Sequence, residues 1–292
     1  MDANKVFSAV HGFRRKLLEG RIQVGAGITF SDPLVSDALA PTSDFLWIDT
    51  EHGSLCPDAL HGHLLAARAA RIPSLVRVTS GSVQEIKPVL DCGADGIIVP
   101  QITSADDVRA VVQACRYRPL GNRGFGPRVP SRYGRDGGME YLEEANRSVF
   151  VAVQIENVQA FENLDAILKI EGLDSVVIGP ADLSLAMGLE LDLNHPALLD
   201  RIEEIATRAR AAGLFVGAGM GPDAAYARRL AGLGVQWLQI GCDFSYLVTM
   251  ADKIMESART AAGFHEESKR VAVPETLASS LNGQSNRNLP GR

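Results

Sequence analysis

Eight short apolar runs, most of them closed by a Gly, Pro or Asp and followed by a helical pattern, constrain this chain more than any other feature. They are Val24–Phe30, Phe45–Asp49, Ser74–Val78, Gly96–Pro100, Val149–Glu156, Ser175–Gly179, Phe215–Gly219 and Trp237–Gly241. Between them lie Asp58–Ala70, Val83–Cys92, Ala105–Cys115, Asn157–Ile170, Pro196–Ala212 and Pro222–Leu233, with apolar positions three and four apart. Continuous β-branched runs joined by crossover helices are what a parallel sheet requires. Eight such units in about 250 residues predict an α/β chain closed into a (β/α)8 TIM barrel rather than an open doubly wound sheet.

Three segments depart from the repeat. An extra N-terminal helix is expected near Val6–Leu18, and a Gly/Arg-rich insertion runs from Tyr117 to Gly138, longer than an ordinary connection. After Phe264 the chain turns to Glu, Ser, Asn, Gly and Pro. The expected organisation is one catalytic barrel domain over residues 1–264 and a polar tail over 265–292, mobile from about residue 275.

With 29 Lys+Arg against 35 Asp+Glu the formal charge is −6, which argues against a protein that binds nucleic acid by neutralising phosphates. No apolar run approaches the roughly 18 residues of a membrane span. The first twenty residues lack an uninterrupted apolar h-region, so a cytoplasmic protein is expected. Cys56, Cys92, Cys115 and Cys242 are too scattered for a zinc site and read as reduced thiols.

In such a barrel, function sits at the C-terminal ends of the strands. Asp49, Glu51 and His52 follow the second strand, Arg77 lies in the third, Gln101 follows the fourth, Gln154 and Glu156 end the fifth, and Asp182 follows the sixth. Glu156 and Asp182 on adjacent strands suit a hard divalent cation, with coordination positions left for substrate and water. Each also has a structural reading: a first-turn carboxylate for Glu156, an N-cap for Asp182. His52, with Asp49 three residues earlier, suits a general base oriented by a carboxylate.

Arg77 needs an anion, either an internal carboxylate such as Asp91 or a substrate carboxylate. His61 and His63 read as surface or interface residues rather than ligands. GNRGFGP, Gly121 to Pro127, lies in the wrong context for a dinucleotide fingerprint, leaving a substrate lid at the rim or a purely structural excursion. The lysines Lys5, Lys16, Lys87, Lys169, Lys253 and Lys269 fall on helices or the tail, so none is placed for a Schiff base inside the barrel.

Six ordered motifs, FLWIDTEHG (45–53), VRV around Arg77, DCGADGIIVPQI (91–102), RYRPLGNRGFG (116–126), VQIEN (153–157) and VVIGPADLSLAMG (176–188), together resemble the HpcH/HpaI aldolase family. The resemblance spans residues 20 to 260. It implies a class II pyruvate aldolase that cleaves a 4-hydroxy-2-oxo acid, such as 4-hydroxy-2-oxoheptanedioate, to pyruvate and an aldehyde with Mg²⁺, Mn²⁺ or Co²⁺.

By the same resemblance, Glu156 and Asp182 hold the metal, Arg77 stabilises the pyruvate enolate, and His52 is the acid/base. Asp49 and Asp91 are its carboxylate partners, one of them reaching across a subunit boundary. Gln154 and the backbone amides of Ala181 and Asp182 cradle pyruvate, and Arg123 is a substrate-loop arginine. A hexamer is implied, with Asp243–Phe264 packing on a neighbour. Two rival readings are a decarboxylase resembling macrophomate synthase, which makes the enolate from oxaloacetate, and a catalytically silent barrel used for binding or assembly.

Overall fold

The computed structural model describes residues 6–53 and 55–261. The eight apolar runs form β1 (Gln23–Ile28), β2 (Phe45–Asp49), β3 (Ser74–Arg77), β4 (Gly96–Val99), β5 (Phe150–Ile155), β6 (Ser175–Ile178), β7 (Phe215–Met220) and β8 (Trp237–Cys242). Every neighbouring pair is parallel and β8 closes onto β1, so the sheet has no open edge. All residues of β2, β4, β5 and β6 are buried, which is why these strands read as unbroken apolar runs rather than alternating ones.

The helices are α1 (Ser8–Leu18), α2 (Leu34–Leu39), α3 (Pro57–Ala70), α4 (Val83–Cys92), α5 (Ala105–Cys115), α6 (Gly138–Ser148), α7 (Val158–Glu162), α8 (Leu164–Ile167), α9 (Pro180–Ala186), α10 (Pro196–Ala211), α11 (Ala224–Gly232) and α12 (Asp243–Ala261). Their starts follow ordinary capping chemistry. Ser104 accepts from the Asp107 amide in a capping box, and Pro57, Pro180 and Pro196 open helices where a missing N–H costs nothing. The single helix expected over Asn157–Ile170 is two, divided at Asn163, whose backbone leaves helical geometry.

Two cores result. One lies between the sheet and its helices, and the other fills the barrel's N-terminal half. There α1 acts as a plug: the Phe13 ring meets Phe45, Phe150 and Trp237 at 5.5, 5.6 and 6.2 Å. Phe45, Phe150 and Trp237 are the first residues of β2, β5 and β8, so the aromatic layer sits at that mouth. Gly217 faces this layer; a side chain there would collide with the Trp237 indole.

The insertion does not lie at the catalytic rim. Helix α5 carries the chain back to the N-terminal end before residues 116–137 begin, and Tyr117 and Tyr141 join the same cluster as Phe7 and Phe13. The insertion ends in α6, a helix beyond those the spacing predicts. His63, expected at a surface or interface, is instead fully buried, with Nδ1 2.8 Å from the Ser36 hydroxyl, while His61 is half-buried. Contacts divide the chain into a compact unit, Met1–Tyr246, and a second, Leu247–Arg292, of which the described part is helical. The expected boundary at 264/265 and the tail lie outside the described residues. Among the described residues no helix is long and apolar enough to cross a membrane.

Candidate active site

The sheet register brings the charged residues together. Asp49 pairs in register with Arg77, so the last residues of β2 and β3 stand side by side. Arg77 donates from Nε to Asp49 Oδ1 at 3.0 Å and from Nη2 to Oδ2 at 2.6 Å, the forked geometry that matches a carboxylate. Its Nη1 lies 3.1 Å from Glu51 Oε2, and the guanidinium sits 5.5 Å from the centre of the Trp47 ring. Arg77 therefore meets Asp49 and Glu51, not Asp91. These acidic partners hold it firmly charged, above its ordinary value, against the opposing effect of burial.

Asp49 is not the partner of the His52 ring. Its carboxylate is committed to Arg77 and to the backbone amides of Glu51, at 3.0 Å, and His52, at 3.4 Å. The three-residue spacing that suggested a carboxylate–histidine pair instead forms a turn closed on the chain's own N–H groups. The acid beside the ring is Glu51, with Oε2 3.6 Å from His52 Nε2. Glu51 thus links Arg77 to His52. It was visible as a rim residue in sequence, but only the fold shows which side chains it joins. Burial pushes its carboxyl above the usual range, while Arg77 and His52 pull it down. His52 itself is 66% exposed at the mouth.

Glu156, 3% exposed, is held from both sides. Its Oε1 accepts the Gln101 amide at 2.7 Å and its Oε2 accepts Gln154 Nε2. Gln101 donates from a left-handed conformation, φ +56°, which a non-glycine residue adopts at some cost and which aims its N–H at the carboxylate. Burial raises the Glu156 carboxyl, as do Asp182 and Glu51; the Gln101 amide and Arg77 oppose the shift.

Asp182, exposed in the first turn of α9, accepts no hydrogen bond from a described residue, so its carboxylate caps nothing. Ala181 beside it is also exposed. Gln154 leaves its Oε1 buried and unpartnered. Mutually repelling carboxylates and an orphaned amide oxygen form a hard-oxygen environment suited to a divalent cation. Among the described residues no group of three or more His, Cys, Asp or Glu could hold a metal alone. The Glu156–Asp182 pair would therefore leave most coordination positions to water and substrate.

A cavity of about 440 Å³ opens at this end, lined by Arg77, Gln154, Ala181, Asp182, Met220 and Phe244 among others. Asp91 and Arg123 are not in it. Asp91 lies in the last turn of α4, which like α5 runs back to the N-terminal end of the barrel, and it takes a hydrogen bond from Arg123 Nη2 at 2.9 Å. Arg123 lies over the Tyr117 ring at 4.7 Å with its side chain 2% exposed. Within one subunit this pair is remote from Arg77, because an α–β connection emerges at the opposite mouth from the strand ends.

Residues 29–249 match the family described as HpcH/HpaI aldolase/citrate lyase. A 2-keto-3-deoxy-L-rhamnonate aldolase from Klebsiella pneumoniae subsp. pneumoniae is 37% identical over 233 residues, covering 79% of this chain and 86% of that protein. A hydroxypyruvate/pyruvate aldolase from Pseudomonas aeruginosa is 35% identical over 255 residues, covering 87% and 92%. The crystal structure of an HpcH/HpaI aldolase from Desulfitobacterium hafniense DCB-2 superposes with a TM-score of 0.80 at 29% identity, covering 84% of this chain and 96% of that one. The chain belongs to the HpcH/HpaI aldolase/citrate lyase family and is a carbon–carbon lyase of the aldolase type.

Proposed function

We propose that the enzyme catalyses reversible, metal-dependent retro-aldol cleavage of a 4-hydroxy-2-oxo acid to pyruvate and an aldehyde. The observation that carries this reading is the placement of one forked guanidinium, Arg77, at a cavity that also presents Gln154 and Asp182, with buried Glu156 bonded to Gln154. Glu156 and Asp182 would hold a divalent cation, Mg²⁺, Mn²⁺ or Co²⁺, which when bound acts as a Lewis acid toward the 2-oxo group. The amides of Ala181 and Asp182 would hold the substrate carboxylate, and Gln154 would orient it.

His52 Nε2, beside Glu51, takes the proton of the C4 hydroxyl. The O–H electrons close the aldehyde carbonyl, the C3–C4 pair passes into the enolate, and Arg77 stabilises the charge gathering on the enolate oxygen. A proton returned to C3 gives pyruvate. Asp49 sets the angle of the Arg77 fork. Asp91, remote from the site of its own subunit, would reach that of a neighbouring copy in a homo-oligomer, which we take as a hexamer, with Arg123 holding its carboxylate. The exposed Leu247, Val248, Met250, Ile254 and Met255 of α12 support association. Four free cysteines suit a cytoplasmic enzyme.

The test is pyruvate release, coupled to NADH oxidation by lactate dehydrogenase, from a panel of 4-hydroxy-2-oxo acids and oxaloacetate, with EDTA or added metal. The expected outcome is release from the hydroxy-oxo acids that EDTA abolishes and Mg²⁺, Mn²⁺ or Co²⁺ restores. Release from oxaloacetate alone would replace cleavage by decarboxylation, and no release with any metal would overturn the aldolase mechanism.

A further inference from the structure

The cavity's two sides differ in chemistry. On one side stand Arg77, Gln154 and Asp182; on the other, at the ends of β7 and β8 and the start of α12, the wall is Met220, Pro222, Cys242 and Phe244. Phe244 remains 49% exposed although its ring belongs to the class of side chain that contributes most by burial. Its backbone is fixed, because Asp243 is buried and accepts the Phe244 amide at 2.9 Å, the Thr29 amide at 2.7 Å, the Thr29 hydroxyl at 2.6 Å and the Phe30 amide at 2.8 Å. The start of α12 is thus anchored with Phe244 lining the open cavity.

The side-chain donors of Ser245 and Gln239 on that wall are engaged within the chain. The Ser245 hydroxyl donates to the Cys242 carbonyl and accepts the Cys242 amide, and Gln239 Nε2 donates to the Gly241 carbonyl. Arg77 is the one cation among this chain's lining residues; Asp49 and Glu51 hold it, and its remaining N–H groups serve the enolate oxygen in the reaction proposed above. A second carboxylate on the substrate, or a charged group on the aldehyde, would be desolvated there without a partner.

We infer that the Met220–Pro222–Phe244 wall is the aldehyde subsite, that it takes uncharged aldehydes with an apolar tail, and that Phe244 determines this specificity. The inference rests on the aldolase reading above and names its second substrate class. In the synthetic direction, C3 of the pyruvate enolate bonds to the aldehyde carbon and the carbonyl oxygen takes a proton, so the tail is carried into C5 and beyond of the product.

The experiment measures aldol addition of pyruvate by the full-length, Mn²⁺-loaded enzyme to pentanal and to succinic semialdehyde, similar in length and different in charge. The expected kcat/KM is at least about tenfold higher for pentanal. Phe244→Ala is expected to bring the ratio within about threefold, and Phe244→Arg to reverse it. A wild-type preference for succinic semialdehyde, or a ratio that Phe244→Ala leaves unchanged, overturns the subsite. Exchange of the pyruvate methyl protons in D2O, followed by NMR on the same wild-type sample, separates the two readings. Exchange with the wrong aldehyde preference overturns the subsite alone, whereas absent exchange together with absent pyruvate release overturns the aldolase reading and the subsite with it.

Discussion

The two mouths of the barrel use the same strands for opposite purposes. At the N-terminal mouth, strand-initial residues Phe45, Phe150 and Trp237 close around Phe13 in edge-to-face contacts and leave no room. At the C-terminal mouth, Asp49, Glu51, Glu156 and Asp182 gather around a single Arg77; burial, with the neighbouring carboxylates, raises the carboxyls of Glu51 and Glu156 against the pull of that arginine. Like charges held this close work against folding, and the aromatic layer supplies packing that offsets them. Stability and chemistry are thus assigned to separate ends of one element set, and each can be perturbed alone.

The largest effect should come from the closed mouth. Phe13→Ala removes a ring that is 2% exposed and should cost about 3–5 kcal/mol in urea unfolding, while pyruvate release per folded molecule stays near wild type. A comparable loss of turnover in the folded fraction would break the separation. At the open mouth the reverse is expected: Arg77→Ala should lower kcat about 10²–10³-fold with the far-UV circular dichroism spectrum retained. Near-wild-type turnover would remove Arg77 from the mechanism.

Asp95 sharpens the comparison, because it is a shifted carboxyl at the wrong end for chemistry. It accepts the Ser74 amide at 3.0 Å and the Ser74 hydroxyl at 3.1 Å, and burial pushes it up to about 6 from 3.8. The folded state then holds this proton more tightly than the unfolded chain does. Stability from this group is present below about pH 4 and is lost as the pH rises to about 6, by about 3 kcal/mol at most. Asp95→Asn should flatten that part of the profile in urea unfolding at pH 4 to 7. An unchanged difference between variant and wild type across that window would show that Asp95 does not titrate with folding.

What the sequence made legible follows from what repeats. Parallel strands buried on both faces must be apolar throughout, so all eight could be read to within one or two residues. Helix α6 could not, because GMEYLEEANRS is polar overall and follows a segment rich in Gly and Arg. Of the candidate site, Asp49, Glu51, His52, Arg77, Gln154, Glu156 and Asp182 are legible as rim residues, since strand ends are fixed by the repeat. Pairings were harder. Asp49 lies nearer in sequence to His52 than to Arg77, yet the register of β2 on β3 gives it to the arginine. For the insertion, length and glycine content suit a lid at the rim and a structural excursion alike, and its location depends on counting crossovers: a segment after a helix emerges at the mouth opposite one after a strand.

The Phe13 layer has a consequence for traffic. With one opening stoppered by interlocking rings, the barrel is a cup rather than a conduit. Reactants, ions and protons enter and leave past the same lip, and no through-flow can flush an intermediate out below. Whatever the cup holds during turnover is retained or released according to the side chains at that lip alone, His52 and Phe244 foremost among them.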